Sequence, residues 1–205
     1  MMGPKEKRER ALGTSLGLKG DRSGSPKSSL IRKPYKPGVH GPRGRNRPLS
    51  EFGLQLREKS KFKLTYGVDE KNLKRLFGLA QLAKKSVGTK MLELLECRLD
   101  NVVYRLGFTP TRGAARQLVN QGHVEVNGKK VTSPGFTLRP KDIVSIKKTS
   151  EDKVHLVNRK ELLKKFETPP WLKLHPEKME GQVLSAPSDL NPPFEINLLV
   201  ESFSK

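Results

Sequence analysis

Large apolar side chains are few up to about residue 40, and from Ser50 onward they recur at helical spacing. Ser50 is placed to cap a helix running through FGLQLREKSKFKL. After Gly67, Asp69 caps a second pattern in which Leu73, Leu76, Phe77 and Ala80 share one face. A third pattern runs from about Thr89 to Leu106. Its Leu92, Leu95, Leu99, Val102 and Leu106 step alternately by three and four residues, which makes one apolar stripe on a single helix. Arg98, Asn101 and Arg105 fall on a different stripe of that helix.

The period then changes. Thr111 caps a short helix, RGAARQLVNQ, with Ala115, Leu118 and Val119 toward a core and Arg112 and Arg116 four residues apart on another face. Gly122 supplies the left-handed backbone that ends such a helix. HVEV alternates, and Asn127-Gly128 follows, a pair that tolerates positive φ at both positions of a tight hairpin turn. KKV returns, and Pro140-Lys141-Asp142 turns the chain into a further strand, IVSI. KVHLVNRKELLKKF predicts one more helix, and Trp171 after Pro169-Pro170 reads as an apolar core anchor.

Charge changes the meaning of these elements. The chain has 205 residues and carries 41 Lys/Arg against 21 Asp/Glu, a net charge of +20, with 34% apolar residues. Residues 1–50 alone hold thirteen Lys/Arg and three Asp/Glu among many Gly, Ser and Pro, and residues 1 to about 48 read as an extended basic arm. A chain this cationic gains stability from a polyanion through counterion release, so nucleic acid is the first partner to expect. Arginines on helices and lysines at a turn, without a row of exposed aromatics for stacking bases, point to structured RNA recognised by shape and phosphate position.

Other chemistries find little support. Cys97 is the only cysteine, which precludes an internal disulfide and a cysteine metal cluster. His40, His123, His155 and His175 are scattered, without paired metal spacing. Gly13-Thr14-Ser15-Leu16-Gly17 matches a serine nucleophile elbow, but that device needs an apolar strand ahead of it, and here a basic, polar segment precedes it. The longest apolar runs fall far short of the ~20 residues that cross a bilayer, and MMGPKEKRER has charges where a secretory signal needs an apolar run. We expect no enzyme, no metal, no cofactor and no membrane partner.

CRLDNVVYRLGF, TRGAARQLVNQGHVEVNGKKV and RPKDIVSI together resemble the S-four RNA-binding domain. The flanks PGVHGPRGRNRPLSEFGLQLREKSKFKLTYGV, PPWLKLHPEKMEG and LLVESFSK resemble the bacterial family of the fourth small-subunit ribosomal protein, in its zinc-free form without cysteine ligands. The resemblance implies an α+β fold: a mostly helical domain, an inserted S-four module of two helices and short strands, and an extended basic N-terminal arm. The implied divisions are 1–44 for the arm, 45–93 and 149–205 for the two parts of the helical domain, and 94–148 for the module. It implies a structural constituent of the small ribosomal subunit that binds the 5′ domain of its ribosomal RNA, nucleates assembly of the body and contributes to translational accuracy. Implied neighbours are other small-subunit proteins including the fifth, with messenger RNA near the entry path. The implied location is the cytoplasmic ribosome, an organellar one being the alternative. The RNA-binding residues so implied are His40, Arg43, Arg45, Arg47, Gln55, Arg57, Lys59, Lys61, Arg98, Asn101, Arg105, Thr111, Arg112, Arg116, Gln117, His123, Asn127, Lys129 and Lys130.

Overall fold

The computed structural model describes residues 4–43, 48–151, 159, 161–188, 192 and 194–204. Its elements are α1 (Lys5–Leu12), a 3-10 turn (Gly20–Gly24), α2 (Ser29–Arg32), α3 (Glu51–Tyr66), α4 (Glu70–Gln81), α5 (Val87–Glu96), α6 (Leu99–Arg105) and α7 (Arg112–Asn120). After them come β1 (Val124–Val126), β2 (Lys129–Lys130), β3 (Ile143–Ile146), α8 (Lys148–Glu151), β4 (Leu172–His175), β5 (Glu180–Val183) and α9 (Ile196–Ser204). The fold is α+β, as the sequence implies. The chain divides into two compact units, Met1–Lys90 with Asn191–Lys205, and Met91–Leu190.

In the first unit, the Ser50 hydroxyl caps α3 by accepting from the Gly53 amide at 3.3 Å, and the Asp69 carboxylate caps α4 from the Asn72 amide at 2.9 Å. Both caps satisfy amides that a helix start leaves without partners. α3 packs on α9, and within α3 Phe62 meets Tyr66 at 5.3 Å and, just before α9, Phe194 at 4.9 Å between centroids. Phe77 of α4 stacks on Phe203 at 5.1 Å. The Glu58 carboxylate, buried beside Lys61, accepts from the Glu195 amide at 3.1 Å, where chain polarity at the start of α9 favours a negative group.

Glu70 lies between Lys59 at 2.5 Å and Lys63 at 3.0 Å. Partial burial pushes its pKa up, but hydrogen bonds and charge from the two lysines outweigh that and hold it below the ordinary carboxylate value of 4.5. A lowered folded pKa means that the folded state binds fewer protons than the unfolded one in this range. The stabilisation is therefore complete above the ordinary glutamate range and is lost as pH falls through the lowered folded value. These side chains are partly exposed, so each pair contributes about 0.2–1 kcal/mol. Glu70→Gln should lower the stability of this unit by up to about 1 kcal/mol at neutral pH, with the difference from wild type vanishing toward pH 3, as read by urea melts between pH 3 and pH 7.

The N-terminal segment differs from the extended arm expected of residues 1–44. Within residues 4–43 the chain forms α1, the 3-10 turn and α2. Glu9 is buried, and its Oε1 accepts from the Leu16 and Leu18 amides at 2.9 and 3.2 Å. Leu16 is buried beside it. Arg10 donates to the Lys33 and Tyr35 carbonyls and lies 4.9 Å over the Tyr35 ring. Arg57 of α3 donates to the Leu12 carbonyl at 3.1 Å. Polar side chains closing on backbone groups fold this segment, so its low apolar content gave no sign of it. Deleting residues 1–36 should lower the melting temperature of the unit by a few degrees, because Leu16 burial and the Arg57–Leu12 bond disappear together. An unchanged melt would restore the extended-arm reading.

The second unit holds a five-stranded antiparallel sheet in the order β2-β1-β3-β5-β4. β1 pairs with β3 so that Val124 faces Ile146 and Val126 faces Val144, and all four are buried. Alternation along each strand puts these side chains on one face, against α6 and α7. The sheet does not stop at residue 148. β3 also pairs with β5, Val144 opposite Gly181, and β5 pairs with β4. Trp171, Leu172, Met179 and Val183 enter the same core as Leu99, Val102 and Leu118. The expected division at 149, with all of 149–205 in the helical domain, is thus corrected. Residues 172–183 close the sheet of the module, and only residues from 191 onward join the first unit.

The single helix expected over 89–106 is two helices. Arg98 is extended, with φ −69° and ψ 140°. The Cys97 carbonyl accepts from the Leu138 amide at 2.8 Å, and the Leu99 amide donates to the Phe136 carbonyl at 2.8 Å. Backbone pairing with the 136–138 loop therefore replaces the helical bonds at this point. The apolar stripe survives the break because both helices bury Leu92, Leu95, Leu99, Val102 and Leu106. Half of the helix expected in KVHLVNRKELLKKF lies outside the described residues; residues 159 and 161–163 are helical.

Candidate nucleic-acid interface

The junction of α7, β1 and β2 is built from local signals. Thr111 Oγ1 accepts from the Ala114 amide at 3.1 Å and starts α7. Ala115, Leu118 and Val119 are buried, which turns Arg116 and Gln117 outward. Gly122, at φ +74°, ends the helix and leads into β1. Asn127 and Gly128, at φ +51° and +76°, form the turn into β2. The turn is locked from below: Asn127 donates to Asp142 Oδ1 and accepts from the Ile143 amide, both at 2.9 Å. Asn127 therefore shapes the hairpin, and exposed Lys129 and Lys130 carry its charge.

Lys130 reaches back across Gly122, where a side chain would collide with its stem. That places the ammonium at the C-terminal end of α7, a favourable position for a cation, and fixes it beside the arginine-bearing helix. His123 is half-buried, and its carbonyl accepts from the Lys147 amide at 2.9 Å. Lys147 thus joins the corner next to His123. It was missed in the sequence because its proximity depends on the β1–β3 pairing.

A second cluster lies at the start of α6. Arg98 forms a fork on Asp100 at 3.1 and 2.8 Å, with both side chains largely buried. Asn101 is 2% exposed, and its Nδ2 donates to Glu96 Oε2 at 2.6 Å. Glu96 is itself 1% exposed. Arg105 clasps it with Nε at 3.0 Å and Nη2 at 2.9 Å. Arg112 donates to Asn101 Oδ1 at 2.7 Å, brings Nη2 to 4.0 Å from Glu96 Oε1, and lies 4.5 Å over the Tyr104 ring. The sequence stripe Arg98–Asn101–Arg105 is therefore divided: Arg98 and Asn101 sit inside with protein partners, while the Arg105 side chain stays 35% exposed. Glu96 and Tyr104 organise this cluster and were not singled out from sequence.

The sequence-implied residues of the other unit are placed separately. His40 and Arg43 are exposed. Arg45 and Arg47 lie outside the described residues. Gln55 is buried and donates to Glu201 at 3.2 Å, and Arg57 is bonded to Leu12. Lys59 pairs with Glu70 and lies 4.1 Å over Phe203, and Lys61 pairs with Glu58 at 2.6 Å. The Gly13–Gly17 motif follows α1, and among the described residues no strand precedes it. Among the described residues no cluster of His, Cys, Asp and Glu is arranged to hold a metal ion, and no helix is long and apolar enough to cross a membrane.

Two family models match consecutive parts of the chain: a ribosomal protein S4/S9 N-terminal domain over residues 1–96 and an S4 domain over 97–144. Their boundary coincides with the break between α5 and α6. The chain is 42% identical to the small ribosomal subunit protein uS4 of Caldicellulosiruptor saccharolyticus, over all of this chain and 98% of that protein. It is 41% identical to the protein of the same name from Roseiflexus castenholzii, again over the full chain and 98% of the relative. The uS4 of Kosmotoga olearia is 40% identical over 99% of this chain and 98% of its own length.

Proposed function

The chain belongs to the small ribosomal subunit protein uS4 family, and we propose that it is a structural RNA-binding constituent of the small subunit that contacts the 5′ domain of the ribosomal RNA. The observation that carries this reading is the corner where Arg116, Lys129 and Lys130 stand exposed on a rigid helix–hairpin junction inside the S4 domain. Fixed cations on a preformed surface select one arrangement of phosphates, as recognition of folded RNA requires. The helix and hairpin supply positioned charge, and nothing in the reading calls for catalysis or a cofactor.

Early binding to the 5′ domain lets the protein nucleate assembly of the subunit body. In the finished particle it neighbours other small-subunit proteins, the fifth among them, at an interface that bears on decoding accuracy, near the messenger entry path. It works in the cytoplasmic ribosome. The test is sucrose-gradient sedimentation of a lysate at low salt and after a high-salt wash. One copy per small subunit that survives the wash supports the reading. Sub-stoichiometric association that the wash removes would indicate a free-standing RNA-binding protein instead.

A further inference from the structure

We propose that Glu96 is a positioning residue for RNA recognition: a buried carboxylate that aims Arg105 and Arg112 at the ligand. This rests on the reading that the S4 domain binds small-subunit ribosomal RNA. An isolated buried carboxylate is costly, and one guanidinium fork is enough to neutralise it. Here two arginines converge on the same oxygen: Arg105 Nη2 is 2.9 Å and Arg112 Nη2 is 4.0 Å from Glu96 Oε1. Asn101 ties the set together, donating to Glu96 and accepting from Arg112. The cluster of one carboxylate and two guanidiniums keeps a net positive charge. Arg105 binds Glu96 through its Nε edge and remains partly exposed, and Tyr104 sets the plane of Arg112.

Long arginine side chains lose rotamer freedom when they meet a ligand, and binding then costs part of the interaction. Holding both on a buried anchor removes that cost beforehand. Arg116 lies one helical turn beyond Arg112, so the anchored pair continues the charge of the α7 corner. A negative residue so becomes part of a site for a polyanion. Glu96 itself is too deeply buried to meet RNA.

The experiment compares full-length protein with Glu96→Gln, after circular dichroism of both, using two probes. One is a transcript of the small-subunit 5′ domain, and the other is an unrelated RNA duplex of equal length. Removing a negative charge raises long-range attraction for any RNA, so a merely electrostatic role makes both probes bind as well or better. Positioning makes the opposite forecast for the first probe alone: affinity for the 5′ domain falls about tenfold while duplex binding holds or tightens. Unchanged discrimination by Glu96→Gln overturns the proposal and leaves the functional reading intact. A wild-type protein that does not prefer the 5′ domain overturns that reading and this proposal with it. Should Glu96→Gln lose its fold, Glu96→Gln/Arg105→Gln removes both charges of the fork. It is expected to lose at least as much discrimination as Arg105→Gln alone, and any smaller loss overturns the proposal.

Discussion

Replacing Arg116, Lys129 and Lys130 together with Ala is expected to weaken binding to the 5′-domain RNA roughly a hundredfold. Each is an exposed cation on the α7–hairpin corner. A lost charge-assisted contact costs at least about 1 kcal/mol, and 1.4 kcal/mol is a factor of ten. The salt dependence gives a second, independent reading. Each phosphate contact contributes about 0.9 to the slope of log affinity against log salt in a duplex and about 0.7 in a single strand, so the slope should become shallower by about two to three. The side chains point outward, so the circular dichroism spectrum should be retained. The stem of Lys130 covers Gly122, and a melting shift of a few degrees is expected from uncovering it. Equal affinity and equal slope in filter binding would make this corner a solvated face with no role in recognition. Arg112→Ala is the less clean test of the helix, because it also breaks the bond to Asn101 and the contact with Tyr104.

The second large effect is expected at Trp171. It is 1% exposed and shares a core with Leu99, Val102, Leu118, Val144 and Val183. Trp171→Ala leaves a cavity that the neighbours fill only in part, at a cost of about 3–5 kcal/mol. For a unit of this size that is a fall in melting temperature of more than about 10 °C. Because β4 and β5 complete the sheet that carries β1 and β2, RNA binding should be lost along with the fold of this unit. Differential scanning calorimetry decides the matter. A shift of only a degree or two would mean that the 172–183 hairpin is an appendage and that the module's core ends near residue 148.

What the sequence made legible is what short-range chemistry decides. The caps at Ser50, Asp69 and Thr111 stand where they were expected, as do the left-handed Gly122 and the Asn127-Gly128 turn, because each depends on residues within four positions. The break at Cys97–Arg98 was hidden, since it is made by a loop some forty residues away and the apolar period runs through it undisturbed. The β4–β5 hairpin was hidden for a related reason. LKLH alternates, but four residues carry little signal, and Trp171 drew attention as an anchor without showing what it anchors. The N-terminal fold rests on Glu9 and Arg10 closing on backbone groups, which hydrophobic patterning does not register. For the site, Arg116, Lys129 and Lys130 were legible because helix face and hairpin turn expose them. Asn101 and Arg98 fell on the polar stripe and were implied as RNA-binding residues, and their burial follows only from the split helix. Glu96 escaped notice because its link to Asn101, Arg105 and Arg112 exists only after that split.

The claim that the S4 domain meets ribosomal RNA through the α7–hairpin corner is tested most directly by photo-crosslinking. A 5′-domain transcript carrying 4-thiouridine would be bound by the full-length protein and irradiated, and the crosslinked peptides identified by mass spectrometry. Crosslinks are predicted within Thr111–Lys130 and near Arg105, and they should be competed away by unlabelled 5′-domain RNA but not by an unrelated duplex. Crosslinks confined to the first unit, with none between Arg105 and Lys130, would contradict the account.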